Sequence, residues 1–139
     1  MNVTKKFTFD AAHRLSGYVG KCKNLHGHTY LLEVTLTGEI NHMGFIVDFG
    51  DLKTVVSKML DTYFDHKTIL RLEDDMNLAI QKILPPESVY MVSYNPTAEN
   101  MVLDIWEKLY EAFLSVETTA KIKKIRLYET PTSYAEKEV

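Results

Sequence analysis

The chain has 139 residues, 45% apolar and 25% charged, a balance that fits one domain with its own core and excludes a fibrous repeat or a disordered chain. A net charge of −3 gives no general basic footprint for nucleic acid, and no apolar run approaches the roughly 20 residues of a membrane span. One cysteine excludes an internal disulfide, and Met1 to Asp10 holds no signal-peptide core, so the expected address is cytoplasmic.

Taken in chain order, the pattern is two strands, helices, then strands again. Phe7, Phe9, Ala11 and His13 share one parity, as one face of a strand does. His28, Tyr30, Leu32, Val34 and Leu36, all even positions, share one face of a second strand in the same way, interrupted only by Leu31. A hairpin of the two leaves a long connecting loop, Leu15 to Leu25, which carries Cys22. Phe45 to Phe49 reads as a short extended piece. Leu52, Val55, Val56, Met59, Leu60 and Tyr63 then follow helical spacing, with Asp48 and Asp51 favouring the amino-terminal end. A charged stretch, Arg71 to Asp75, leads into a short helix that stops before Pro85-Pro86, and Val89 to Tyr94 reads as a strand. Asn95 as cap and Pro96 at the first position predict a helix running to about Ser115, with Val102, Ile105, Leu109 and Phe113 on its buried face. The last clear strand covers roughly Lys121 to Glu129, and Thr130-Pro131-Thr132 turns the chain into a short final strand or tail. No linker divides the chain, so residues 1–139 are read as a single domain.

The chemistry concentrates in a few side chains. Cys22, His26 and His28 lie in one short segment, and His13 ends the first strand on its apolar face. Three imidazoles suffice to hold a catalytic zinc, because their nitrogens suit that ion and three ligands leave a position open. The bland reading is strand histidines that merely lie side by side. Cys22 is either an inert buried thiol or a thiolate activated by nearby cations. Asp65-His66 is either a charge pair at a helix end or an imidazole held by a carboxylate for proton transfer. Glu129 continues an inward parity, so it is either an exposed strand end or a carboxylate awaiting a ligand with adjacent N–H donors. His42 stands outside these patterns and reads as a merely packed or solvated side chain. Arg14, Lys21 and Lys23 are cations that lie near the motif, although charges near a site are often solvated.

Six pieces of sequence occur together in order: Phe9-Asp10-Ala11-Ala12-His13, Cys22 through His28, Gly44-Phe45-Ile46-Val47-Asp48-Phe49, Asp65-His66, Asn95-Pro96-Thr97-Ala98-Glu99-Asn100, and Glu129-Thr130-Pro131-Thr132-Ser133. In these pieces the chain resembles the 6-pyruvoyl-tetrahydropterin synthase and 6-carboxytetrahydropterin synthase superfamily, from Phe7 to about Ala135. The three-residue spacer between Cys22 and His26-Gly27-His28, and the Glu-Thr-Pro-Thr-Ser end, look like the carboxytetrahydropterin branch.

The resemblance implies an α+β tunnelling fold: an antiparallel sheet with two main helices on one face, closing into an oligomeric barrel, often a homohexamer built as a dimer of trimers with pockets between subunits. It implies a zinc-dependent carbon–carbon lyase of the queuosine pathway, converting dihydroneopterin triphosphate to carboxytetrahydropterin, acetaldehyde and triphosphate without nicotinamide or flavin. It makes His13, His26 and His28 the zinc ligands, Cys22 the catalytic thiolate, His66 its proton partner with Asp65 behind it, Glu129 the pterin anchor, and Thr97 and Glu99 pocket residues. Two alternatives stand beside it: a pyruvoyl-forming, triphosphate-eliminating lyase, and a non-catalytic zinc- and pterin-binding module. The segment Glu73 to Leu84 looks longer than in the shortest relatives, which leaves its local topology open.

Overall fold

The computed structural model describes residues 1–139. Six strands, β1 (Asn2–His13), β2 (His26–Thr37), β3 (Lys67–Arg71), β4 (Val89–Val92), β5 (Lys121–Thr130) and β6 (Ser133–Glu138), form one sheet in the order β4-β3-β1-β2-β5-β6. The helices are α1 (Phe49–Tyr63), the short α2 (Met76–Ile80) and α3 (Ala98–Phe113). The expected antiparallel pairing holds from β1 through β2 and β5 to β6. β3 and β4 correct it at the other side, where β3 runs parallel to β1 and β4 parallel to β3, so the sheet is mixed.

The period-two pattern explains which face is covered. Phe9 and Ala11 of β1, Tyr30, Leu32, Val34 and Leu36 of β2, and Ile125 and Leu127 of β5 are buried on one side. They pack in one core with Leu52, Val56, Met59 and Leu60 of α1 and Met101, Val102, Ile105 and Leu109 of α3. These helical residues recur at the spacing that places them on one stripe. The opposite face stays polar: Thr4 and Thr35 share a hydrogen bond of 2.8 Å, Lys6 pairs with Glu33 at 2.9 Å, and Arg126 pairs with Glu136 at 2.7 Å. No helix is long and apolar enough to cross a membrane.

Boundaries moved where pairing outweighed local pattern. β1 begins at Asn2, before the periodic run, because it is paired with β2 along its whole length. β3 carried no sequence signal; it is five residues long and is made by its neighbours on both sides. α1 starts at Phe49, capped by Asp48, whose carboxylate accepts the Gly50 N–H at 2.6 Å. α3 starts two residues later than expected: Thr97, not Asn95, is the cap, its Oγ1 accepting the Asn100 N–H at 3.3 Å. The long segment from Glu73 to Leu84 holds only α2 and turns, and its Asp74 is buried against Arg14.

Leu127 of β5 is fully buried in the core, so Leu127→Ala should cost about 2–5 kcal/mol in urea unfolding. Thr97→Ala, which removes a cap, should cost about 0.5–2 kcal/mol in the same measurement.

Candidate metal centre and adjoining pocket

The hairpin register brings the three imidazoles together. His13 lies directly opposite His26 across the β1–β2 ladder, and His28 lies opposite Ala11, two residues further along the same face. Their ring centroids are 4.7, 5.1 and 5.0 Å apart, and their nitrogens form a cluster that can hold a metal ion. His13 is 2% exposed, while His26 and His28 are half-buried at the mouth.

Hydrogen bonding fixes which nitrogen faces inward. Nδ1–H of His13 donates to the Pro96 carbonyl at 2.7 Å, and Nδ1–H of His26 donates to the Asn24 carbonyl at 2.7 Å. Each neutral ring then carries its lone pair on Nε2. These two Nε2 atoms face each other at 3.2 Å, and neither has a proton to share. Two facing lone pairs repel unless a cation lies between them. A tetrahedral ion with metal–nitrogen distances of about 2.0–2.1 Å separates its ligands by about 3.3 Å, so the observed gap matches one edge of such a site. Nε2 of His28 is buried without a hydrogen-bond partner, an orphan that a metal would satisfy. Burial holds the His13 and His28 pKa values below the ordinary histidine range, against the opposing pull of Glu129, and so favours the neutral, ligating form. The residues present therefore fit a metal ion.

Tyr30 was not singled out from the sequence, although it shares the parity of His28. It is fully buried under the rings, with its hydroxyl 3.4 Å from Nδ1 of His13 and its centroid 5.5 Å from that of His28. The carbonyls of Pro96 and Asn24 were also missed, since a backbone acceptor leaves no mark in the sequence. Such outer partners orient metal-binding imidazoles and fix their tautomers.

Beside the imidazoles lies a pocket of ≈ 290 Å³ lined by His13, Cys22, Thr97, Glu99 and Glu129, among others. Cys22 sits half-buried on a single 3₁₀ turn, Lys21–Lys23, and its carbonyl accepts the Leu15 N–H at 2.9 Å. Glu129 falls where the β5–β6 register slips, between the pairs Tyr128–Tyr134 and Thr130–Ser133. This bulge leaves Glu129 without a cross-strand partner and turns it toward His28, with Oε1 at 3.6 Å from Nε2. Thr97 and Glu99 arrive on the first turn of α3.

Asp65 and His66 stand elsewhere. They meet Asp10 after the end of α1, and His66 lines a different cavity of ≈ 470 Å³, with Asp10, Gly27 and Thr29. Within one chain Cys22 and His66 therefore share no pocket. The pair is joined by direct contacts: one Asp65 oxygen accepts the Asp10 N–H at 3.0 Å and the other lies 3.0 Å from Nδ1 of His66. His66 adopts φ 59, a left-handed conformation costing about 1 kcal/mol or more for a side chain with a Cβ. Its N–H bond to the Asp10 carbonyl at 2.7 Å and the Asp65 contact hold it there, leaving Nε2 of the exposed ring outermost. Of the cations near the motif, Arg14 is already committed to Asp74 at 2.8 Å and Asp75 at 3.0 Å. Lys21 and Lys23 are exposed beside Cys22, and His42 is exposed in a turn, the solvated one of its two bland readings.

Comparison with known proteins gives a consistent result. The 6-pyruvoyl tetrahydropterin synthase family matches residues 2–138. The chain is 38% identical over 140 residues to 6-carboxy-5,6,7,8-tetrahydropterin synthase of Rickettsia bellii, and 36% identical over 140 residues to the protein of that name from Haemophilus influenzae. Each alignment covers 96% of both chains. Among solved structures, a Wolinella succinogenes protein superposes with TM-score 0.82 at 21% identity, covering 99% of this chain and 97% of that one, which shows the fold alone. Caenorhabditis elegans 6-pyruvoyl tetrahydropterin synthase superposes with TM-score 0.73 at 26% identity over 100% of this chain and 95% of that one.

His13→Ala should abolish stoichiometric metal binding measured by elemental analysis of the purified protein, because it removes the most buried of the three nitrogens. His42→Ala, on the exposed turn, should leave metal content unchanged.

Proposed function

The chain belongs to the 6-pyruvoyl tetrahydropterin synthase family, and from that premise we propose that it converts 7,8-dihydroneopterin triphosphate and one water to 6-carboxy-5,6,7,8-tetrahydropterin, acetaldehyde and triphosphate. The carboxy product follows from the names of its relatives at 36–38% identity over almost the whole chain. The observation that carries the reading is the meeting of Cys22, Glu129, Thr97 and Glu99 in one pocket at the edge of the three imidazoles. We assign the ion to zinc and the conversion to the cytoplasmic, queuosine-forming route to deazapurines. When bound at His13, His26 and His28, zinc supplies Lewis-acid chemistry that acidifies hydroxyl groups of a ligand.

The chain's own groups have distinct tasks. The Glu129 carboxylate, freed from cross-strand pairing by its bulge, accepts adjacent N–H donors of the pterin ring through charge-assisted bonds. Thr97 and Glu99 shape the same wall from α3. Cys22 as thiolate removes a proton from the substrate side chain, and His66 relays it, its ring held in one tautomer by Asp65. Because Cys22 and His66 line separate cavities of one chain, a neighbouring subunit must supply one of them. A ring-forming homo-oligomer, a hexamer arranged as a dimer of trimers, meets that requirement. The pterin ring gains what the side chain loses, so no nicotinamide or flavin enters.

Incubation of the zinc-loaded protein with dihydroneopterin triphosphate should yield acetaldehyde in step with a carboxylated tetrahydropterin by mass spectrometry. A pyruvoyl product without acetaldehyde would assign the other lyase of the family. Cys22→Ala should keep its zinc and lose turnover by on the order of 100-fold or more, whereas a non-catalytic binding module would show no turnover in either form.

A further inference from the structure

Asn95 opens a motif in which it was expected to cap a helix, yet its side chain points elsewhere. Its Oδ1 accepts the Ser16 hydroxyl at 3.1 Å, and its Nδ2–H donates to the Ser16 carbonyl at 3.2 Å. This reciprocal pair joins residues 79 apart in sequence. The Asn95 carbonyl is held in turn by Nδ2–H of Asn100 at 3.0 Å, inside the first turn of α3. Ser16 stands in the loop that carries Cys22, and its neighbour Leu15 closes that loop by donating to the Cys22 carbonyl. On the other side of Asn95, the Pro96 carbonyl holds His13.

We propose that Asn95 and Ser16 form a positioning clamp that fixes the Cys22 thiol relative to the imidazole cluster. This rests on the catalytic role assigned to Cys22 above. Asn95 grips one end of a loop that contains Gly17 and Gly20, both at positive φ and therefore weakly held by their own backbone preference. Most of residues 17–25 are exposed. The Leu15–Cys22 bond transmits the anchor at Ser16 directly to the cysteine. Asn95 is a suitable clamp because an amide both donates and accepts, which the Ser16 hydroxyl and carbonyl require. Neither residue needs to touch the substrate. Displacing a reacting group by about 1 Å costs up to roughly 100-fold in rate, so a loop anchor has leverage on turnover.

The test compares Asn95→Ala, Ser16→Ala and Ser16→Thr with the parent protein, all zinc-loaded. Because Cys22 is the only cysteine, iodoacetamide modification of the peptide that carries it, read at the cysteine by mass spectrometry, reports that one thiol. At about pH 10, where an ordinary thiol is ionised, its rate reports access alone. Asn95→Ala and Ser16→Ala should alkylate several-fold faster than the parent and lose turnover by on the order of 10-fold to 100-fold in kcat with KM little changed. Ser16→Thr keeps the hydroxyl and should behave as the parent in both measurements. Zinc content and thermal midpoint should stay near parental in Ser16→Ala, which decides the matter if Asn95→Ala folds poorly. The clamp is overturned if Cys22→Ala is inactive while both alanine variants keep parental kcat and alkylation rate. If Cys22→Ala turns over normally, the role of the thiol falls and the clamp falls with it.

Discussion

The ladder between β1 and β2 governs the rest of the molecule. It pairs Asn2 with Thr37 at one end and His13 with His26 at the other without a slip. Because side chains alternate with a period of two, a shift of one residue would turn the whole apolar set of one strand away from the helices and carry its imidazoles with it. The core and the metal centre are thus set by one register. Tyr30 shows the connection, since its ring stacks on Phe9 at 5.0 Å in the core and lies beneath His13 and His28 at the site.

Within that frame, the centre is built by denying its nitrogens other partners. The outer ring nitrogens of His13 and His26 are taken up by backbone carbonyls, so the inner ones converge with their lone pairs unpaired. Burial then resists protonation of His13 and His28. Converging lone pairs of this kind suit a cation, and a metal bound there adds its binding free energy to that of folding. The carboxylates follow a comparable logic. Glu129 is released from its ladder by a bulge, and Asp65 is tied to Asp10 and turned on His66.

Much of this was legible in the sequence, for definable reasons. Parity alone placed His13 on the face of Phe9 and His28 on the face of Leu32, and alternation over β5 aimed Glu129 inward. The helices α1 and α3 showed their stripes because apolar residues at helical spacing leave a clear trace. β3 left none, being short and stabilised by neighbours rather than by composition. Asn95 misled for a chemical reason: an asparagine before Pro-Thr fits a cap, but Thr97 takes that role and the Asn95 amide reaches across to Ser16. The separation of Cys22 from His66 within one chain is likewise a property of three-dimensional placement, invisible to spacing.

Gly27, the middle of His26-Gly27-His28, has a further consequence for tolerance to change. A Cβ there would come within 3.0 Å of the Ala11 carbonyl oxygen, an immovable backbone atom of the adjoining strand. The same residue lines the cavity that holds His66, next to His28. Any methyl group added at position 27 would therefore press on the β1 backbone within the wall of that cavity, between two of the clustered imidazoles.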